Sequence, residues 1–186
     1  TGGYMPMPFL DGRCANYIEL TDNVGKVMQG QYDRKQAERE VEKMYTPCGA
    51  CGVMTTANSM CLAAEALGMT LPGNGCMSAV SSELLQTAYR AGKQIMRLLA
   101  DGITARKIIT PEAGDNAIAM TMAMAGSTNL FMHLPAIACE AGLRDRWWAH
   151  FDRASREIPQ IVGASPSGRW HLQDIERAGG SRAVLK

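Results

Sequence analysis

Apolar positions along this 186-residue chain recur at three- and four-residue steps in several stretches, the spacing that gathers them on one face of a helix. The sharpest case lies in residues 46–75, TPCGACGVMTTANSMCLAAEALGMTLPGNG, where Met54, Ala57, Met60, Cys61, Ala64 and Leu67 trace such a face. Gly68 supplies a stop and Pro72 forbids continuation. A loop carrying two thiols, Cys48 and Cys51, runs directly into this helix. Downstream, Ser81 or Ser82 can cap a helix running to about Ala100, with Leu84, Leu85, Ala88, Ala91, Ile95, Leu98 and Leu99 as its expected buried side. Thr110-Pro111-Glu112 is a strong helix start: a capping hydroxyl, proline at the first position and an acid in the first turn. Residues 117–125 are then Ala and Met with little polar relief, the pattern of a buried helix. That helix breaks at Gly126-Ser127-Thr128-Asn129, which reads as the entry to another helix ending near Glu140, before Gly142.

The remaining pattern is weaker. Residues 32–44 predict a charged helix with a narrow stripe of Ala37, Val41 and Met44, and with Arg34 and Glu38 spaced as a surface pair. Residues 9–31 scatter apolar positions among Gly12, Asn16, Gly25 and Gly30, and predict a loop with at most one short strand. Residues 107–110 suit a strand or a linker, and residues 158–162 a short strand. Residues 165–168 suit a turn, and residues 171–178 a final helix closed by Gly179-Gly180. Trp147, Trp148 and Phe151 are expected to anchor packing. With no repeat and no interdomain linker, the fold class expected is α/β, a helix-rich slice of a layered domain with few short strands, forming one unit over residues 1–186.

Composition narrows the function classes. Apolar residues at 46% and charged residues at 20% are ordinary for a globular protein with a real core. A net charge of +1 suggests neither nucleic-acid binding nor a basic membrane patch. No apolar run reaches membrane-spanning length, so the expected location is the cytoplasm. There the six cysteines are expected to be reduced thiols. The thirteen methionines read as adaptable core filling.

Chemistry concentrates at Cys48-x-x-Cys51. A thiol just ahead of a helix N-terminus meets unpaired N–H groups and the positive end of the dipole, which suits it as nucleophile or metal ligand. The spacing alone leaves four readings open: a structural zinc site, a thiol–disulfide or metal-sensing pair, two inert thiols, or a ligand to an iron–sulfur cluster. Gly126-Ser127-Thr128-Asn129 is a second candidate, since small polar residues at a helix start can bind a carboxylate; simple capping would explain them equally. His133 falls one turn later among apolar neighbours, where core burial competes with a role at a site. His150 and His171 are expected at the surface or in turns, and Glu112 and Asp115 as exposed first-turn acids.

GACGVMTTANSM followed by EALGMTLPGNG resembles the dihydroxy-acid dehydratase and sugar-acid (aldonate, phosphogluconate) dehydratase family. The likeness continues through DNAIAMTMAMAGSTNLFMHLPAIACEAGL and FDRASREIPQIVGASPSGRWHLQDIERAGGSRAVLK. It implies an interior piece of a longer hydro-lyase, within a layered α/β/α N-terminal domain. Such an enzyme converts a 2,3-dihydroxy acid to a 2-keto acid using an iron–sulfur cluster (2Fe-2S or 4Fe-4S) and Mg2+. The family's cluster ligand is the cysteine directly before Gly-x-Met, here Cys51; Cys48 matches only some members and is not assigned. Other ligands, the magnesium site and the base serine are expected outside this chain, which alone should be inactive. Ser127, Thr128, Asn129 and His133 are the expected substrate-side residues. The PGNG turn favours the branched-chain amino acid branch over aldonate dehydratases, whereas Gly114 and Asp115 depart from a frequent aromatic and glutamate. The family implies a cytoplasmic homodimer acting on a small dihydroxy or sugar acid.

Overall fold

The computed structural model describes residues 1–10, 12–15, 17–44, 48–144 and 147–185. Asn16 of the expected loop, Thr46 and Pro47 at the head of the central stretch, and Lys186 lie outside them. The chain opens with a two-stranded antiparallel hairpin, β1 (Phe9–Leu10) and β2 (Arg13–Cys14), followed by helices α1 (Tyr17–Met28) and α2 (Arg34–Met44). Helix α3 (Thr56–Ala66), a 3-10 turn at Asn74–Cys76 and the long α4 (Ser82–Ala100) come next. A single turn α5 (Ala105–Ile108) leads to α6 (Pro111–Ala123), α7 (Leu130–Ala141), α8 (Trp148–Glu157), α9 (Leu172–Arg177) and α10 (Gly180–Val184). Helix-rich with few short strands, this is the expected class.

Two helices organise the interior. In α3, Ala63 and the C-capping Leu67 join Ala117 and Ile118 of α6, Leu130, Leu134 and Ala138 of α7, and Trp147, Phe151 and Ala154 in one core. Leu62 and Met120, one step round the same two helices, enter a second core with Tyr4, Met54, Cys76, Met124, Ala164, Leu172 and Ile175. Both α3 and α6 are therefore lined on two sides. The start of α6 is as the sequence predicts: Thr110 Oγ1 accepts the Ala113 N–H at 3.2 Å and Pro111 occupies the first turn.

Several expectations need correction. Residues 17–28 are helical rather than loop. Leu20 is buried in a small cluster with Ala15 and Met44, so packing supplies what the weak periodicity did not advertise. Residues 158–162 form no strand; the Ile161 and Val162 N–H groups both donate to Ala123 O, at 2.8 and 3.0 Å. Residues 107–110 close the single turn α5 and extend into the Thr110 cap. The helix expected over residues 171–178 is α9, closed before Gly179-Gly180 as expected, but it is not the final one, since α10 follows.

Helix α3 buries Asn58, Ser59, Leu62, Ala63 and Glu65, a face turned from the apolar one read in the sequence; Ala57 is exposed and Met60, Cys61 and Ala64 are half-buried. Helix α4 departs further. The expected buried side is largely open, with Leu85 74% and Leu99 72% exposed, and Thr87 is its one buried residue. Trp147 and Phe151 are fully buried as expected, but Trp148 is exposed.

Candidate functional site

The loop before α3 is held from three directions. On one side, Ala50 N–H donates to Gly3 O at 2.9 Å and Met5 N–H donates to Ala50 O at 2.5 Å. On the other, Met54 N–H donates to Ser165 O at 2.6 Å, and Leu172 N–H donates to Gly52 O at 3.0 Å. From below, the buried Asn58 amide donates to Val53 O at 2.8 Å and also to Cys51 O. Two glycines are required here by space. A Cβ on Gly49, at φ +119°, would stand 2.5 Å from Met5 N, and one on Gly52 would stand 2.9 Å from the backbone oxygen of Met5.

This framework leaves the Cys51 side chain half-buried, its thiol free of any disulfide. Helix α3 begins at Thr56, so Cys51 lies further ahead of the first turn than the sequence suggests. The connection to the helix runs through Thr55. As N-cap residue it makes no side-chain capping bond; its Oγ1 instead lies 2.7 Å from Cys51 Sγ. The sulfur thus has a hydroxyl partner in a loop fixed by backbone bonds, ahead of the α3 N-terminus.

The second candidate arrives at the same helix end. Ser127 N–H donates to Ser59 Oγ at 2.8 Å, Ser127 Oγ lies 3.4 Å from Thr56 Oγ1, and Asn129 Nδ2 donates to Thr56 Oγ1 at 2.6 Å. Asn129 makes no side-chain capping bond to α7, so its amide reaches across to α3 rather than capping. Thr128 is exposed beside it. His133 is half-buried one turn into α7; its N–H donates to Asn129 O at 3.1 Å, and among the described residues no hydrogen bond joins its imidazole to the Thr56 cluster. The structure therefore brings Ser127 and Asn129 to the first turn after the Cys51 loop, and leaves His133 to the side.

Sequence reasoning missed Thr55, Thr56, Asn58 and Ser59, which do most of this positioning. Their signal was present as an unbroken polar run, TTANS, inside a helix otherwise judged by its apolar steps. The other histidines also differ from expectation. His171 is buried at the start of α9, its N–H donating to Asp174 Oδ2 at 2.9 Å, and His150 Nδ1 contacts the Asp115 carboxylate, tying α8 to α6. Glu112 is fully exposed, and its carboxyl is held below the usual range by hydrogen bonds from its own backbone N–H and the Thr110 hydroxyl.

As for metal, no group of three or more His, Cys, Asp or Glu side chains gathers among the described residues. Cys51 is a soft donor, a thiol of the kind suited to iron or another thiophilic ion. Cys76 is unsuited: burial chiefly, then the charges of Glu176 and Glu65, pushes its thiol up to about 12.

The family model described as dihydroxy-acid/6-phosphogluconate dehydratase N-terminal matches residues 1–186. A protein named dihydroxy-acid dehydratase from Nitratidesulfovibrio vulgaris (strain DSM 19637 / Miyazaki F) is 42% identical over 176 residues, 95% of this chain and 31% of the relative. Its namesake from Halothermothrix orenii is 41% identical over 187 residues, 100% of this chain and 34% of the relative. The one from Moorella thermoacetica is 40% identical over 185 residues, 100% of this chain and 33% of the relative. The chain spans 31% to 34% of the length of these curated relatives. With the family model matched along its whole length and identity near these values throughout, the chain belongs to the dihydroxy-acid/6-phosphogluconate dehydratase family.

Proposed function

We propose that this chain is part of the iron–sulfur-binding N-terminal domain of a hydro-lyase that dehydrates a 2,3-dihydroxy acid to a 2-keto acid. The observation that carries the reading is the meeting of Cys51 and the Gly126–Asn129 segment at one end of α3, two features widely separated in sequence. The names of the relatives favour dihydroxy-acid dehydratase, and so the branched-chain amino acid pathway, over an aldonate dehydratase. The reading includes a cytoplasmic homodimer; among the described residues no helix is long and apolar enough to cross a membrane.

In this reading Cys51 holds one iron of a cluster whose other ligands, like those of Mg2+, come from outside residues 1–186. When bound, the cluster supplies a Lewis acid for the departing hydroxyl and Mg2+ supplies charge at the carboxylate end. The chain's own residues do the placing. Thr55 Oγ1 lies 2.7 Å from the sulfur, where its hydroxyl can donate to a thiolate, and Asn58 fixes the loop that carries it. Ser127, Thr128 and Asn129 present hydroxyl and amide groups at the same helix end, where a substrate's polar atoms would be oriented. His133, one turn away, borders that surface.

The test uses the full-length protein that carries this chain, purified without oxygen. A brown protein with stoichiometric iron and sulfide, active on dihydroxyisovalerate in preference to an aldonate, is the expected result. Cys51→Ser should lose iron and activity together while keeping the unfolding midpoint. A colourless protein with a reversible Cys48–Cys51 disulfide would replace this reading with a thiol–disulfide one.

A further inference from the structure

Away from Cys51, near the opposite end of α3, four cations converge on one cleft of about 320 Å3. Arg90, Lys93 and Arg97 are spaced three and four apart on one side of α4, and Arg182 faces them from α10 across Pro72. Gln94 is the other polar side chain of the lining, and no carboxylate is among its residues.

Three of the cations are held by neutral groups. Arg182 Nη2 donates to Pro72 O at 2.5 Å, and its guanidinium lies over Gly73, where a Cβ would stand 2.8 Å from Nε. Gly73, at φ +89°, is itself fixed because its N–H donates to the Glu65 carboxylate at 2.5 Å. The adjacent Ser181 hydroxyl donates to that carboxylate at 2.8 Å. Arg90 Nη2 donates to Thr87 Oγ1 at 2.7 Å, and Lys93 Nζ lies 4.6 Å from the centre of the Tyr89 ring. None of the four forms an ion pair among the described residues. All four are exposed to water, yet like charges set side by side repel, and an anion seated between them would meet every one.

We propose that this cleft binds a small phosphate-bearing anion. Guanidinium groups match phosphate oxygens in paired hydrogen bonds, and an ammonium adds a point charge. The volume suits a small molecule. The site is independent of the dehydratase reading, since it uses neither Cys51 nor the Ser127 cluster.

The experiment is calorimetric titration of the full-length protein with inorganic phosphate, pyrophosphate and glycerol phosphate, at low and high salt. Binding of at least one of these, weakened by salt, is expected; which binds best separates free phosphate from a phosphate ester. Arg97→Gln and Arg182→Gln should each weaken binding by about tenfold or more, whereas Arg34→Gln, on the distant α2, should leave it unchanged. Should Arg182→Gln lower the unfolding midpoint, Arg97→Gln decides, because Arg97 holds no other side chain in place. Absence of binding to all three probes, or unaltered binding in Arg97→Gln, overturns the proposal. So does a preference for polyglutamate over pyrophosphate, which would make the cleft a seat for an acidic polypeptide.

Discussion

Asn58 shows how one buried amide can set the geometry of a reactive side chain it does not touch. It is 1% exposed, and its Nδ2 satisfies the carbonyls of Val53 and Cys51. Replacing it with alanine strands both carbonyls, which costs about 1–3 kcal/mol, and loosens the loop that aims the sulfur. Asn58→Ala should therefore lower the urea midpoint and speed alkylation of Cys51, read by mass spectrometry, while Cys48, already exposed, reacts as before. Cys76 gives a prediction of the opposite kind. Its thiol ionises near 9.0 when unfolded and about 12 when folded. Between those values the unfolded chain has lost a proton that the folded chain keeps, so stability falls as pH rises through this window. Below 9.0 both states hold the proton and the effect vanishes. Urea midpoints should decline across the alkaline range, and Cys76→Ala should flatten that decline.

At the scale of elements, periodicity reports that a helix has an apolar face without reporting what covers it. In α4 the repeat is genuine, yet Leu85, Tyr89, Ile95, Met96 and Leu99 are all more than half exposed. Leu85→Ser should then change the stability of residues 1–186 by no more than about 0.5 kcal/mol. Leu62→Ala, in the fully packed α3, should cost about 2–5 kcal/mol, and paired urea titrations of the two variants measure the contrast. Helix α3 fails in the complementary way. Apolar steps alone misplaced its buried face because Asn58, Ser59 and Glu65 are buried with hydrogen-bond partners, and counting apolar residues cannot find groups buried for that reason. Signals written in local chemistry were legible: the Thr110-Pro111 start of α6, the Gly142 stop of α7, and the Arg34–Glu38 pair at 2.9 Å. Helix α1 was not, since its place depends on Leu20 meeting Met44 of α2. The candidate site divides along the same line. Cys51 and Ser127–Asn129 were readable one by one, whereas their arrival at the neighbouring Thr55 and Thr56 is a fact of tertiary structure.

Across the whole molecule, α3 and α6 stand between two cores, and the chain's outer segments close around them. Close fit extends to single atoms: a Cβ on Gly114 of α6 would come 2.1 Å from the Trp147 ring, so the space that an aromatic at 114 would fill is taken by an indole from the α7–α8 connection. The Cys51 loop is bracketed likewise, by residues 3–5 on one flank and by Ser165 and Leu172 on the other. Those brackets have a consequence for biogenesis. During synthesis Cys51 emerges more than a hundred residues before Leu172 can dock against its loop, so that loop stays half-bracketed until nearly all of this stretch has left the ribosome. Until then the Cys51 loop has its residue 3–5 bracket and lacks the one that Ser165 and Leu172 provide.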